Sequence, residues 1–395
     1  MKKYGRFISY VCTAVISAAV CFAAVSLWLV AAAGGTDNLE RGAKLVQVLR
    51  VVDENFVEEA DLDAATDAAA SAMIASLGDQ WSYYMTAEDY EAYRLHTQNS
   101  YRGIGVTIRA AENGFLIVDV PRGTPAYEAG LLPGETIVSV AGENTAGMET
   151  AELQEKIASF GDGEFTLGIV GTDGTERSVS ISAAAVYSSP VSSRMLDGDI
   201  GYIELSNFSA GCAQDAIAAI EQLVSDGAKA LVFDVRYNGG GYVSEMSDLL
   251  DYLLPGGVIF TSISRVGDEE TVTSDADCVD LPMAVLINDN SYSAAELFAA
   301  QLHEYGWAQT VGESTTGKGR SQVTYTLYDG SAVHISHEAY ITSQGHDLAA
   351  EGGIDPDFAV ELTDEEKTEL YYGILPIEDD IQLRAAVGAV RQELD

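Results

Sequence analysis

The chain has 395 residues, 47% of them hydrophobic, which is enough for two or three folded domains and too apolar for a disordered chain. Asp and Glu number 61 against 21 Lys and Arg, a formal net charge of −40. A field of that sign repels phosphate backbones and anionic lipid surfaces, so nucleic acid is excluded as a partner.

The first element is "MKKYGRFISYVCTAVISAAVCFAAVSLWLVAAAGG". Lys2, Lys3 and Arg6 precede an uncharged run from Phe7 to Ala33. That run exceeds both the ~20 residues of a membrane span and the ~7–15 of a signal peptide's apolar region. Residues 1–34 therefore read as a signal-anchor or transmembrane helix, in the membrane through residues 7–33. The "AAAGG" end is also compatible with cleavage, which would leave the chain secreted or periplasmic. Basic residues on the N-terminal flank and acidic ones after it place the body of the chain outside the cytoplasm, held at the cell membrane by a single pass. Cys12 and Cys21 lie inside the run and read as packing residues; Cys212 and Cys278 are isolated, show no metal spacing, and leave their pairing open.

Residues 35–98 have a helical period: Leu45, Val48, Leu49 and Val52 recur at i, i+3, i+4, i+7, and Gly78 marks a stop. Trp81, Tyr83, Tyr84 and Tyr90 follow as packing or interface residues. Over 99–185 the pattern changes to short β-rich runs broken by Gly, Pro and Asn, with helical pieces near Pro125–Ala129 and Thr150–Ser159, a small β module. From 186 to 363 strands and helices alternate, and "AKALVFDVR" and "LPMAVLIND" are apolar enough to be buried on both faces, which predicts an α/β layer domain. "VTYTLYDGSAVHISHEAYIT" predicts a hairpin through Asp329-Gly330. Residues 364–395 read as an acidic helical segment, a cap or a dimer element. The fold class is a multidomain α+β chain.

No GxSxG elbow, P-loop, HExxH or dinucleotide fingerprint is present, and His96, His303, His334, His337 and His346 form no metal-ligand pattern, so neither metal nor cofactor is expected. Ser293 follows the buried strand "AVLIND" and opens the helix "AAELFAAQL". A residue there is exposed at the strand's C-terminal edge, beside unpaired N–H groups and the positive end of a helix dipole. Ser is also a favoured N-cap, and position alone does not separate the two roles. Lys318 lies between two glycines in "GESTTGKGRSQ", a setting that lets the backbone approach closely and the side chain reach inward. A lysine acts as a base once burial brings its pKa from ~10.4 to roughly 7–8. Gln322 is placed to orient such an amine without holding it charged, and Ser–Lys pairs are a variant of the triad logic.

These segments resemble the carboxyl-terminal processing peptidases, serine proteases of the tail-specific protease family, from about Leu45 to the C-terminus. Ser291-Tyr292-Ser293-Ala294-Ala295-Glu296 matches the family's S-A-S-A-S-E, and Gly317-Lys318-Gly319-Arg320-Ser321-Gln322 its G-K-G-x-x-Q. "DVRYNGGG", Asp234 to Gly241, matches D-x-R-x-N-x-G-G. The resemblance implies Ser293 as nucleophile, Lys318 as base, Gln322 as its orienter, and an oxyanion hole at Gly241 and Ala294 with Gly240 beside them. It also implies a ClpP/crotonase-like catalytic domain. Tyr292 replaces a small residue and Ala295 a serine, while Gly239 stands where proline is common. "GTPAYEAGLLPGETIVSVAGEN" and "YRGIGVTI" resemble a PDZ domain, which implies a carboxylate-binding loop at Gly103, Ile104, Gly105 and Val106 with the peptide added as a strand.

The expectation is a serine endopeptidase that cleaves protein substrates near their free C-termini, with the PDZ domain binding that terminus or gating the site, and with homodimer formation open. The alternatives are a catalytically inactive membrane-anchored PDZ scaffold and an enzyme of acyl thioesters.

Overall fold

The computed structural model describes residues 2–394, and side chains from residue 13. The side chains of Lys2, Lys3, Arg6 and Cys12 lie outside those described. The chain divides into two units, Met1–Gly78 and Asp79–Asp395.

The first unit is helical: Lys2–Ala32, Thr36–Asn55 and Leu62–Ala75. Within the first helix Thr13–Ala32 has a mean hydropathy of 2.4, long and apolar enough to cross a membrane. Gly34 and Gly35, both at positive φ, separate it from the second helix. Asp61 starts the third helix by accepting a hydrogen bond from Ala64 N at 2.9 Å. Neither of the later helices buries a residue within the unit.

The helical segment expected over 35–98 therefore splits. Residues from Asp79 onward fold with the second unit, because Tyr83–Met85 forms a strand paired antiparallel with Ala332–His334 of the predicted hairpin. Thr86 caps the helix Ala87–Thr97 that follows.

The β module is an antiparallel sheet of Thr107–Ala111, Gly114–Asp119, Thr136–Val140, Glu164–Val170 and Glu176–Ser182 in that spatial order. Helices Pro125–Glu128 and Thr150–Ser159 pack on it over Phe115, Ile117, Ile137, Leu153 and Leu167. Glu135 accepts from Leu132 N and is ion-paired to Arg177 at 2.8 Å, which closes one turn.

The α/β domain is built on a second sheet, Val191–Leu196, Ile200–Leu205, Ala230–Asp234, Met283–Ile287, Ala308–Gly312 and Phe358–Ala359, parallel except for its first strand. Strand alternation sends Leu231, Phe233 and Val285 to one face, under helices Cys212–Ser225, Val243–Leu253 and Ala294–Glu304. Ala230, Val232 and Ala284 point to the other face, covered by Leu383, Ala386 and Val390 of helix Ile381–Leu394. The C-terminal segment is thus a layer of this domain. Arg236 ties it to the sheet: the buried guanidinium bonds Asp234 at 2.6 Å and Asp380 at 2.8 Å. The hairpin Arg320–Thr326 with Ala332–Thr342 belongs to a separate five-stranded sheet, which carries the Lys318 loop at its edge.

Candidate active site

Ser293 leaves the central parallel strand through a five-residue turn whose backbone is pinned by buried polar groups. Ser291 Oγ donates to Val235 O at 2.7 Å and accepts from Asn288 N at 3.0 Å. Tyr237 N donates to Asn288 Oδ1, and Tyr292 N donates to Asn238 O. These bonds hold Ser293 at φ 60, ψ −124, a conformation rare for a residue with a side chain and found where the surroundings over-determine the backbone. Ser293 occupies the N-cap position of Ala294–Glu304, yet its side chain makes no capping bond. The hydroxyl is not committed to the helix it starts.

The loop of "DVRYNGGG" lies against that turn. Asn238 is fully buried; its Nδ2 donates to Leu205 O at 2.7 Å and its Oδ1 accepts from Gly240 N at 2.8 Å. Of the three positions expected around the oxyanion, Gly240 has its N–H committed to Asn238 and supplies space, since a Cβ there would stand 2.8 Å from Ser293 Cβ. The N–H groups of Gly241 and Ala294 have no acceptor among the described residues. Gly241, at φ 153, packs against the Phe208 backbone with no room for a side chain.

Lys318 is delivered by a loop fixed to the helix that Ser293 begins. Glu296, one turn into that helix and fully buried, accepts from Gly317 N at 2.7 Å, from Lys318 N at 2.8 Å and from the Thr315 hydroxyl. Burial pushes the Glu296 carboxyl pKa up, and these donors oppose the shift. The flanking glycines act as expected: a Cβ at Gly317 would stand 2.7 Å from Gly352 C, and one at Gly319 the same distance from Ala349 N. The Lys318 amine lies 4.5 Å from the Trp81 ring centroid and 5.5 Å from that of Tyr292. Burial lowers its pKa from 10.5 to about 8, against the pull of the Asp79 carboxylate. Asp79 is itself held below the ordinary carboxylate range. Burial raises its pKa, but bonds from Ser82, Ser336 and Trp81 N, with Lys318 nearby, outweigh that.

Ser293, Lys318, Gln322, Gly240 and Gly241 all line one cavity of about 860 Å³. Gln322 Nε2 donates to Arg320 O at 2.9 Å and Ser336 Oγ at 3.3 Å, and its Oε1 has no donor among the described residues. His334 also lines the cavity; burial and Lys318 depress its pKa to about 4, so its imidazole is neutral, and its Nδ1 is bonded to Thr324 Oγ1. Among the described residues no group of His, Cys, Asp and Glu has metal-site geometry.

A second cavity, about 320 Å³, lies in the β module between the edge strand Thr107–Ala111 and helix Thr150–Ser159. Gly103, Ile104, Gly105 and Val106 line it with Ile157, and the N–H groups of Ile104, Gly105 and Val106 have no acceptor among the described residues.

Sequence reasoning gave Asn238 and Ser291 only as members of motifs, with no role, and passed over Asn288; their partners lie far along the chain. It also missed Trp81, which reads as packing until the hairpin brings it to Lys318. Glu296 was visible only as the end of a motif.

Residues 199–360 match the model of peptidase family S41, and residues 116–170 a PDZ domain model. A carboxy-terminal processing protease of Bacillus subtilis, CtpA, is 30% identical over 323 residues, 81% of this chain and 69% of that protein. A carboxyl-terminal-processing protease of Synechocystis sp. is 30% identical over 305 residues, covering 75% and 71%. The solved photosystem II D1 C-terminal processing protease aligns at 23% identity and a TM-score of 0.48, over 86% of this chain and 97% of that one.

Proposed function

The chain belongs to peptidase family S41 as a serine protease of the carboxyl-terminal processing kind, and from that premise we propose that Ser293 and Lys318 cleave protein substrates near their C-termini. Ser293 Oγ attacks the peptide carbonyl while the neutral Lys318 amine takes its proton. The N–H groups of Gly241 and Ala294 receive the oxyanion. Lys318 returns the proton to the leaving amine, and an acyl-enzyme ester remains on Ser293. Water, deprotonated by the same amine, releases the acyl group and regenerates the hydroxyl. Gln322 Oε1 orients the amine. What supports this reading is that an uncapped serine and a buried lysine, its pKa lowered to about 8, line the same cavity.

The PDZ groove takes the substrate's terminal carboxylate on the N–H groups near Gly103–Val106, and the peptide adds to the edge strand. The apolar helix Lys2–Ala32 serves as the anchor of a protein whose catalytic part lies outside the cytoplasm. The mostly parallel sheet with helices on both faces supports assigning this domain to the ClpP/crotonase-like layer order.

The test is incubation of the full chain with a denatured protein and sequencing of the cut ends. Ser293→Ala abolishes cutting, and Lys318→Ala lowers it by about 10³-fold or more, with both variants folded. Unchanged cutting by Lys318→Ala refutes the dyad. A folded wild-type chain that neither cuts nor reacts with a serine reagent is the inactive scaffold instead.

A further inference from the structure

Two departures from the family motifs, Tyr292 in place of a small residue and Gly239 in place of a common proline, meet in space. A Cβ built on Gly239 would stand 2.6 Å from Tyr292 Oη and 2.8 Å from its Cζ, so the phenol occupies the place where a side chain at 239 would lie. The ring so placed packs on Trp81 at a centroid distance of 5.4 Å, and Lys318 Nζ lies over both rings. Trp81 is held from the other side of the cavity. Asp79 Oδ1 accepts from Trp81 N at 3.1 Å, Asp79 Oδ2 from Ser82 Oγ at 2.5 Å, and Ser82 Oγ accepts from Ser336 N on the hairpin at 3.0 Å.

We propose that Trp81 and Tyr292 are positioning residues for Lys318: their rings form the water-free wall on which the amine rests, and the missing side chain at Gly239 gives Tyr292 its place. The catalytic consequence rests on the Ser293–Lys318 reading above. An aromatic face attracts an ammonium, but two large rings also exclude the water that solvates it. With the amine 4.5 Å from one ring centroid and 5.5 Å from the other, the two rings are part of the burial that lowers its pKa. The titratable groups coupled to the amine are Asp79, which favours its charged form, and His334, which stays neutral; Tyr83, Tyr93, His96 and Arg94 share the cavity wall.

The test reads the amine directly, by competitive acetylation of the full-length Ser293→Ala chain across pH, with Lys318 followed by mass spectrometry. Lys318 is expected to titrate near pH 8. Trp81→Ala and Tyr292→Ala each move the midpoint up by about one pH unit, which lowers labelling at pH 7 about tenfold. Trp81→Leu keeps an apolar wall without the π face and leaves the midpoint at or below the wild-type value. Gly239→Ala reproduces the Tyr292→Ala shift and adds nothing in the Tyr292→Ala background. Midpoints unmoved by both alanine variants overturn the proposal, and so does a Trp81→Leu shift as large as that of Trp81→Ala. A shift seen while Lys318→Ala still cleaves peptides would sink the dyad and leave the aromatic wall supported.

Discussion

At the residue scale the account turns on one amine kept short of water. The sign of its linkage to folding is definite. The folded-state pKa of Lys318, about 8, lies below the 10.5 of an ordinary lysine, so between those values the unfolded chain binds more protons. Stability therefore rises with pH through that window, and below pH 8 the buried charge is a cost. Lys318→Met should raise Tm at pH 7, by a gain that shrinks as pH approaches 10; thermal melts at the two pH values measure it, and a pH-independent gain contradicts the shift. Lys318 was legible in the sequence because Gly317 and Gly319 flank it, and the structure shows both glycines pressed against backbone at 352–353 and 349. Trp81 was not legible. Nothing local distinguishes it from any aromatic before a short strand; its meaning comes from the pairing of Tyr83–Met85 with a hairpin some 250 positions later.

At the element scale, the helix Ala294–Glu304 does two things at once. Ser293 stands at its N-cap, Ala294 leaves an open N–H, and its first turn carries Glu296, whose carboxylate grips the backbone of the Lys318 loop. On the proposed reading, nucleophile and base are then referred to one rigid element, the kind of support that holds a reactive geometry to fractions of an ångström. In Glu296→Gln one amide N–H must face a backbone N–H that the carboxylate now satisfies. The expected cost is about 1–3 kcal/mol of stability, read by denaturant unfolding, together with a fall in kcat larger than any change in KM. A loss confined to stability would show that the loop keeps its place without this grip. Strands and helices of this domain were legible from apolar runs and period, because burial on both faces writes itself into the sequence as "ALVFDV" and "MAVLI". The placement of Ile381–Leu394 was not: a helical period says that it packs, and only the sheet's uncovered face, with Arg236 bridging to Asp380, says where.

At the scale of the whole molecule, charge is distributed unevenly. The chain carries a formal −40, yet no Asp or Glu is among the described residues lining the 860 Å³ cavity, where Lys318, Arg94 and two histidines lie. Acidic substrates meet a repulsive exterior before a receptive interior. Raising ionic strength screens the exterior over a Debye length that falls from ≈ 30 Å at 0.01 M to ≈ 10 Å at 0.1 M. kcat/KM for an acidic peptide should therefore rise with salt and that for a basic peptide fall, in paired assays at 0.01 and 0.1 M; equal responses would place the rate-determining charges elsewhere. In the sequence the apolar N-terminal run, the β module and the α/β region each have their own period. What it does not display is the pairing with Ala332–His334 of the three-residue strand Tyr83–Met85, which lies within a stretch read as helical.

The most direct measurement is the rate at which a fluorophosphonate probe labels Ser293 in the full chain, followed from pH 6 to pH 10 in wild type and in Lys318→Ala. The account predicts a wild-type rate that climbs tenfold per unit below pH 8 and levels above it, as the amine of Lys318 loses its proton, and a variant at least 100-fold slower with no such inflection. A variant that labels as fast as wild type, or a wild-type rate flat across that range, would contradict it.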